Sequence, residues 1–521
     1  MLNYWWVTRP KRRLTSIPEV LAAFSSVALN ASWEGARDLH LLFEEELEKS
    51  GLKKVGERRD RRGSGGRTYQ AWLFSLGLVF THEATGRVYL TLAGEAIMEG
   101  RSPVEVLRRQ VLRYQFPSPF SIATNKKNRL HERFKIRPFV FLLRLLCDER
   151  VEWLTQEEIA KVIMVEADSE SEECYNRVTT KLWDFRERKD LALPSDFFER
   201  YAPSSGKVNE SAPYAHLLDV ANTIINWLEY TQFVYRDEGT IRLLPEKTEE
   251  ARLIVATCPT FIERPEEREF FQRKYGLDPW HSKDTRNLSA TPTVTAKNIE
   301  IQKVKQAFIS LSIKRPLGKI TIDLVEQIAE QTGVNKKRVE DVLNSSYPQG
   351  AIGGFMTEYF EMAFKGQDEA IHFEEATTAI FRDIFGFQAR HIGQVGGRPT
   401  PDILLLSDED DYQAIIDNKA YGRYSLNNDH YNRMAYNYIG NLAGYSSDAR
   451  KLAFFSYIAG GFAPQFDAQV KRLAIQTGVH GSGMTVSNMI RLIEKQQTVA
   501  YKHKRLREIF SLNRQIALTD F

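Results

Sequence analysis

Two short apolar segments near the three-quarter point of this chain each carry an aspartate, and the second also carries a lysine. The first, Pro-Asp-Ile-Leu-Leu-Leu, contains Asp402, and the second, Gln-Ala-Ile-Ile-Asp-Asn-Lys, contains Asp417 and Lys419. Side chains alternate between the faces of a β-strand, so Asp417 and Lys419 point to one face and Asn418 to the other. If the segments pair as neighbouring strands, Asp402 and Asp417 can hold one divalent cation between them.

These residue types suit the hydrolysis of a phosphodiester bond. Mg²⁺ held by two carboxylates lowers the pKa of a bound water and keeps positions for substrate oxygens. We expect Mg²⁺ here, with Mn²⁺ as a substitute. Lys419 would orient the water or stabilise charge on the phosphate, and the backbone carbonyl of Asn418 would complete the metal shell. The alternative interpretation is an acid at a strand end beside an exposed lysine.

Three neighbouring features extend this candidate site. A predicted helix upstream carries Glu374 and Glu375, and Glu374 is the better candidate for a third catalytic and metal-binding carboxylate; a solvated glutamate is the alternative. His391 is either a catalytic or phosphate contact or, as we favour, a structural histidine held by hydrogen bonds. Five tyrosines are expected mainly to pack the helix 429–439 onto the sheet, with stacking on DNA bases as the alternative: Tyr421, Tyr424, Tyr431, Tyr436 and Tyr438.

Length, charge and composition bound the class of protein. A chain of 521 residues suggests three or four domains. The net charge of +3 is uneven, because residues 1–150 carry +10, which leaves −7 for the rest. A basic first quarter indicates contact with DNA, although a solvated basic surface has the same signature. The chain lacks a membrane-length apolar run, a signal-peptide layout and a cysteine framework, so we expect a cytoplasmic protein.

The first quarter has the order of a winged helix. Tyr69, Trp72, Leu73 and Leu76 form a helical apolar stripe, and strand-like segments at 78–80 and 88–92 follow. In such a module one helix enters the major groove and the hairpin touches the backbone. Arg67, Gln70 and Phe74 lie off the stripe and are the predicted groove-facing positions, as base readers or as phosphate contacts. The predicted DNA-binding residues are Arg58, Arg59, Arg61, Arg62, Arg67, Gln70, Arg113, Lys126 and Lys127; for Arg113, packing is an equal alternative.

The remaining chain is predicted to contain a second such module and a sheet domain. A capping-box pattern at 155–158, helices at 172–189 and 214–230 and a hairpin at 233–244 favour another winged-helix-like unit. A polar, proline-marked segment at 275–297 is the best linker candidate, with helices following it. The predicted domains are 1–150 and 151–274 for DNA recognition, 275–350 as linker and helical bridge, and 351–521 as an α/β cleavage domain. Strands at 402–406, 412–417 and 451–457 with flanking helices indicate a mixed sheet there.

The motif order in the last third resembles the FokI-like cleavage domain of type IIS restriction endonucleases, which is of the PD-(D/E)xK type. The likeness covers roughly residues 370–490 and is carried by six segments: 384–387, 391–393, 397–402, 416–422, 452–462 and 468–473. It implies that Asp402 and Asp417 ligate Mg²⁺ and that Lys419 assists catalysis. Asn418 replaces the threonine typical of FokI, and the chemistry is not expected to depend on it. The Tyr-Trp-Trp start and the segments 113–119 and 137–143 resemble the AlwI group and its nicking relatives.

The resemblance implies a restriction endonuclease of type IIS. The N-terminal region would read a short asymmetric site in double-stranded DNA, and the C-terminal domain would cut outside that site and leave 5′-phosphate ends. It also implies a prokaryotic cell, a transient homodimer through the cleavage domain and, as a genetic partner, a cognate DNA methyltransferase. The alternatives are a strand-specific nicking endonuclease, a structure-branched DNA repair nuclease and a winged-helix DNA-binding regulator with a vestigial nuclease domain.

Overall fold

The computed structural model describes residues 1–56, 63–123, 129–203, 212–237, 239–257, 260–288, 296–348, 350–393 and 399–521. Contacts divide the chain into two compact units, one of residues 1–310 and 321–347 and one of residues 311–320 and 348–521. The predicted division into four parts is finer than this and stays a prediction. None of the helices in the described part of the chain has the length and apolar character that crossing a membrane requires.

The first unit is mainly helical. Its strands are β1 (Val79–Thr81), β2 (Val88–Leu90), β3 (Trp153–Thr155), β4 (Val234–Asp237) and β5 (Thr240–Leu243). Its helices are α1 (Ile17–Ala28), α2 (Arg37–Lys49), α3 (Ser64–Ser75), α4 (Leu92–Met98), α5 (Pro103–Leu112), α6 (Pro138–Cys147), α7 (Gln156–Glu158), α8 (Met164–Glu166), α9 (Glu172–Arg188), α10 (Phe197–Arg200), α11 (Ala215–Tyr230), α12 (Thr248–Ala256), α13 (Arg268–Tyr275), α14 (Ala296–Lys314, whose last residues belong to the second unit), α15 (Ile322–Thr332) and α16 (Lys336–Ser346).

The helix and the hairpin predicted for the first quarter are present, and α4 follows them. The apolar stripe of α3 is buried, with Trp72, Leu73 and Leu76 fully inaccessible, and β1 pairs with β2 in an antiparallel hairpin. Gly86 at the turn has a φ of +65°, a conformation that glycine adopts without steric cost. The order alone does not define a winged helix, so that assignment stays a prediction.

The second half of this unit contains the predicted capping box. Thr155 Oγ1 accepts from the Glu158 amide at 3.1 Å, and the Glu158 carboxylate accepts from the Thr155 amide at 2.7 Å. The hairpin β4–β5 forms as predicted, and β3 adds a third strand in the order β3-β5-β4. Glu238, in the predicted turn of that hairpin, lies outside the described residues.

Residues 276–286, which the sequence indicates as part of a linker, pack against other residues of the first unit. The Gly276 carbonyl accepts from the Ala93 amide at 2.9 Å. Asp284 is buried and pairs with Arg273 at 3.0 Å and with Arg286 at 2.8 Å. These contacts fix the first part of the predicted linker, and its last part, 289–295, lies outside the described residues.

The second unit is a mixed sheet flanked by helices, as predicted. Its strands are β6 (Gln388–His391), β7 (Ile403–Ser407), β8 (Tyr412–Lys419), β9 (Lys451–Ala459) and β10 (His480–Thr485), and its helices are α17 (Gly353–Met362), α18 (Ala370–Ala379), α19 (Asn428–Asn432), α20 (Phe466–Thr477), α21 (Val486–Val499) and α22 (His503–Phe510). The strand order is β10-β9-β8-β7-β6. The pairs β6–β7 and β7–β8 are antiparallel, whereas β8–β9 and β9–β10 are parallel.

Non-α turns extend several helices of both units. The π-helical segments are Ile159–Ile163, Ile380–Ile384 and Arg433–Ile439, and the short 3₁₀ turns are Lys189–Ala192, Pro245–Lys247, Gly366–Glu369, Leu442–Gly444 and Leu518–Asp520. The segment Arg433–Ile439 continues α19 and lies on the face of the sheet to which Ile415 of β8 points. This packing buries Tyr424 and Tyr438 and partly buries Tyr431, as predicted, while Tyr421 and Tyr436 stay exposed.

Candidate active site

The two acidic segments pair as neighbouring strands, as the sequence predicts. In the antiparallel pair of β7 and β8, Ile403 lies opposite Ile416. This register places Asp402, just before β7, beside the end of β8 that carries Asp417 and Lys419. The Asn418 amide donates to Asp402 Oδ2 at 2.6 Å, so the two acidic positions are joined through the backbone of β8.

Lys419 forms an ion pair with Asp417 in a nearly closed environment. Lys419 Nζ lies 2.6 Å from Asp417 Oδ2, and the side chains are 14% and 4% exposed. Burial lowers the pKa of Lys419, but the carboxylates of Asp417 and Asp402 outweigh it and raise that pKa. The lysine is therefore held as a cation against the acidic pair.

For Asp402, in contrast, burial has a larger effect on the pKa than the neighbouring charges have. Burial raises its pKa well above the ordinary value, and the charge of Asp417 adds to this effect. Lys419 and the hydrogen bond from the Asn418 amide offset part of the increase. Two carboxylates with one lysine beside them thus leave an excess of negative charge that a cation would balance.

The donor set fits a divalent metal ion. Asp417 Oδ1 is buried, and within the described residues it has no hydrogen-bond partner. An unpaired buried carboxylate oxygen is costly unless a cation or water completes it. The described part of the chain brings no three His, Cys, Asp or Glu side chains into a metal-binding group. A cation here would rely on Asp402 and Asp417 with water and substrate oxygens, which is how Mg²⁺ is often held.

Glu374 comes from α18, on the side of the sheet to which Asn418 points. Its side chain is 17% exposed, whereas Glu375 is exposed. Glu374 Oε2 is hydrogen-bonded to His391 Nε2 at 2.8 Å. Its charge acts on both Asp402 and Lys419, so it belongs to the same electrostatic cluster. Its role as a third metal ligand stays a prediction.

Two histidines adjoin the cluster in ways that the sequence did not indicate. His391 is held by a hydrogen bond, as we favoured, but its partner is the candidate carboxylate Glu374. His430 is half-buried and bonds through Nδ1 to the Tyr424 hydroxyl at 3.1 Å. Burial lowers the pKa of His430, and nearby Lys419 lowers it further. No local pattern marks His430, because β8 and α19 meet only in the folded chain.

The predicted DNA-contacting residues fall into two groups. Arg58, Arg59, Arg61, Arg62, Lys126 and Lys127 lie outside the described residues. The described ones are all in the first unit. Arg67 is exposed and Gln70 half-buried on α3, and both line a cavity of about 540 Å³. Arg113 donates to the Lys274 carbonyl at 3.2 Å, a contact within the first unit that favours the packing alternative.

The prediction that Phe74 faces outward is wrong. Its side chain is only 9% exposed and packs against Phe120 with ring centroids 6.3 Å apart. The helical stripe of α3 is therefore wider than the sequence pattern indicates, because the segment around residue 120 covers a second flank of the helix.

Comparison with known proteins confirms the resemblance read from the sequence. The model of the AlwI restriction endonuclease family matches residues 74–347, just over half of the chain, and the protein therefore belongs to that family. The model of the FokI cleavage domain matches residues 333–517, which include every residue of the candidate active site.

Individual relatives are more distant. The type II restriction enzyme StsI of Streptococcus sanguinis is 24% identical over 152 residues, a match that covers 27% of this chain and about a quarter (24%) of that enzyme's length. The structure of restriction endonuclease FokI aligns at 14% identity over 99% of both chains with a TM-score of 0.30. The BpuJ1 endonuclease binding domain, in complex with modified DNA, aligns at 14% identity over 52% of this chain and 96% of its own, with a TM-score of 0.35.

Proposed function

We propose that this protein is a type IIS restriction endonuclease. Its first unit recognises a short sequence in double-stranded DNA, and its second unit hydrolyses phosphodiester bonds outside that sequence and leaves 5′-phosphate ends. The observation that carries the proposal is the cluster of Asp402, Asp417 and Lys419, in which a buried, unpaired Asp417 oxygen and an excess of negative charge call for a cation. The membership of the AlwI family and the match to the FokI cleavage domain support the same activity.

The divalent cation would be Mg²⁺, with Mn²⁺ as a substitute, held by Asp402 and Asp417. When bound, such an ion supplies Lewis acidity toward the phosphate and lowers the pKa of a coordinated water. The backbone carbonyl of Asn418 and the carboxylate of Glu374 are further proposed ligands. The set of oxygen donors, without a cysteine, suits a hard cation.

The three charged side chains of the site, Asp402, Asp417 and Lys419, have distinct proposed roles. Lys419 stays protonated because Asp417 and Asp402 raise its pKa, so it stabilises negative charge on the phosphate rather than accepting a proton. The burial of Asp417 and Lys419 keeps bulk water from screening their interaction with substrate. Deprotonated Asp402 is required, and a cation would oppose the increase in its pKa.

Recognition is assigned to the first unit. Its basic first quarter attracts the phosphate backbone, and Arg67 and Gln70 on α3 are proposed to contact DNA. One active site cuts one strand, so cutting both strands requires a second copy of the cleavage domain. We propose that two chains pair transiently through this domain, and that a cognate DNA methyltransferase protects the host's own sites.

The test uses a supercoiled plasmid with many potential sites, digested with Mg²⁺ and sequenced from the cut ends. The proposal predicts ends at a fixed distance from one short asymmetric sequence. A plasmid with a single such site should then give linear product. Open circles as the final product would identify a nicking enzyme instead, and ends without a common neighbouring sequence would contradict sequence-specific cleavage.

A further inference from the structure

The side chain of Asn418 links the helix that carries Glu374 to the strand that carries Asp417 and Lys419. We propose that Asn418 is a positioning residue of the active site: it sets where α18 and its Glu374 lie relative to the acidic pair. This inference rests on the proposed function. It differs from the expectation drawn from the sequence, in which the chemistry does not depend on this position.

The contacts of Asn418 extend in two directions. Its backbone amide donates to Asp402 Oδ2 at 2.6 Å. Its side-chain Nδ2 donates to the Phe373 carbonyl at 3.0 Å and to Thr377 Oγ1 at 2.6 Å. A carbonyl can only accept, so these bonds fix which end of the amide faces the helix. One residue that is 8% exposed therefore holds β7, β8 and α18 together.

Thr377 completes a closed network on the helix side. Its hydroxyl donates to the Phe373 carbonyl at 2.8 Å and accepts from Asn418. The Tyr359 hydroxyl lies 3.0 Å from the same oxygen, and it is the donor of that bond when Thr377 donates to the Phe373 carbonyl. Thr377 and Tyr359 are both fully buried. One buried hydroxyl therefore ties α18 both to Asn418 of β8 and to Tyr359 of α17.

Glu374 directly follows Phe373, the residue whose carbonyl Asn418 binds. A shift of this turn of α18 moves Glu374 relative to Asp402 and Lys419, on which its charge acts. Errors of about 1 Å in the placement of reacting groups cost large factors in rate. The Asn418 side chain points away from the face of Asp417 and Lys419, so it acts through Glu374 and the strand and not on the phosphate.

Plain packing is the competing explanation. Asn418 Oδ1 is buried without a hydrogen-bond partner among the described residues, which costs stability. If Asn418 only filled space, an apolar side chain of similar size would give a more stable protein. Packing alone predicts that changes at this position alter stability and leave the rate of the folded enzyme unchanged.

The experiment compares Asn418→Ala and Thr377→Val with the matched control Thr378→Val in the full-length protein. Thr378 is next in the same helix, is 5% exposed, and its hydroxyl donates to the Glu374 carbonyl at 2.8 Å. The control therefore loses an equivalent bond within the helix while the link to Asn418 stays intact. Three quantities are measured for each variant: kcat and KM on a duplex with a mapped site, the affinity of the metal-free protein for Mn²⁺ by calorimetry, and the thermal midpoint.

The proposal predicts that Asn418→Ala and Thr377→Val each lower kcat by about tenfold or more, the usual effect of removing a partner that orients metal ligands. KM for DNA should stay unchanged, and Mn²⁺ affinity should fall. Both changes remove the hydrogen bond between Asn418 and Thr377, so the double variant should be slower by less than the product of the two single effects. Thr378→Val should cleave at the wild-type rate. If Asn418→Ala does not fold, Thr377→Val, which keeps the shape of the side chain, decides the question.

Wild-type kcat and Mn²⁺ affinity in folded Asn418→Ala and Thr377→Val would overturn the positioning role. Asp417→Ala is measured beside them to separate the two proposals. If Asp417→Ala is inactive while the Asn418 and Thr377 variants cleave normally, only the positioning role fails. If Asp417→Ala cleaves like wild type, the active site itself is assigned wrongly.

Discussion

Removal of Lys419 should destabilise the second unit when no divalent ion is present. The Asp417–Lys419 pair has an N–O distance of 2.6 Å and little exposure. At an effective dielectric constant of about 20, the attraction across this distance is about 6 kcal/mol before desolvation is counted. Loss of one partner of a buried pair typically costs about 3–5 kcal/mol, because the remaining charge stays buried. Lys419→Met should therefore cost about 3 kcal/mol, at the lower end because the lysine is partly exposed.

Differential scanning calorimetry in EDTA at pH 7.5 measures this cost. For a unit of this size, about 3 kcal/mol corresponds to a decrease of roughly 6–12 °C in the thermal midpoint. Adding Asp402→Asn to Lys419→Met should restore most of the loss, since the second change removes one of the two carboxylates left facing each other. Mg²⁺ should do the same for the single variant. A midpoint for Lys419→Met equal to that of wild type in EDTA would refute this account of the charge balance.

Three further predictions concern the charge of Asp402, a helix cap and the recognition surface. The pKa of Asp402 is raised in the folded protein, so its contribution to stability is present below the unfolded pKa near 4 and is lost as pH rises through the folded pKa. Asp402→Asn should therefore raise the thermal midpoint in EDTA at pH 7.5 and have no such effect near pH 4. The same change should abolish cleavage. Thr155→Ala breaks the capping box with Glu158 and should cost about 1 kcal/mol in urea denaturation, whereas an unchanged denaturation midpoint would show that the cap contributes nothing. Arg67→Ala should weaken DNA binding in gel-shift titrations and reduce the slope of log K against log salt by about one, whereas Gln70→Ala should leave that slope unchanged; equal slopes for both variants and wild type would remove Arg67 from the phosphate contacts.

The strands that carry the site could be predicted because their sequences are strongly apolar. The segments of β7, β8 and β9 were all identified in this way. In contrast, β10 contains Gly481 and Gly483 and has no strand pattern. A Cβ at Gly481 would lie 2.2 Å from the Phe455 ring, and one at Gly483 would lie 2.4 Å from the Phe466 ring. Glycine is needed at both positions because aromatic rings from residues far away in sequence fill the space that a Cβ would take. The need for glycine therefore arises only in the folded unit.

The edge strand β6 was missed for a different reason. Its residues are mostly exposed, so no apolar alternation marks them. The contacts of Asn418 and His391 were equally out of reach, because each joins residues brought together only by tertiary packing. The acidic pair and lysine could be found because two strand signals and three residue types coincide in a short stretch. The groups that orient them are spread over separate elements and leave no such signal.

The most direct test of the central claim compares wild type with Asp417→Ala on DNA that contains the mapped site, in Mg²⁺ and in EDTA. DNA binding in EDTA and the circular dichroism spectrum serve as controls for folding and recognition. We expect wild type to cleave only with Mg²⁺ and to leave 5′-phosphate ends, and Asp417→Ala to bind the same DNA without cutting it. Cleavage by folded Asp417→Ala, or by wild type in EDTA, would contradict a metal-dependent active site at Asp402, Asp417 and Lys419.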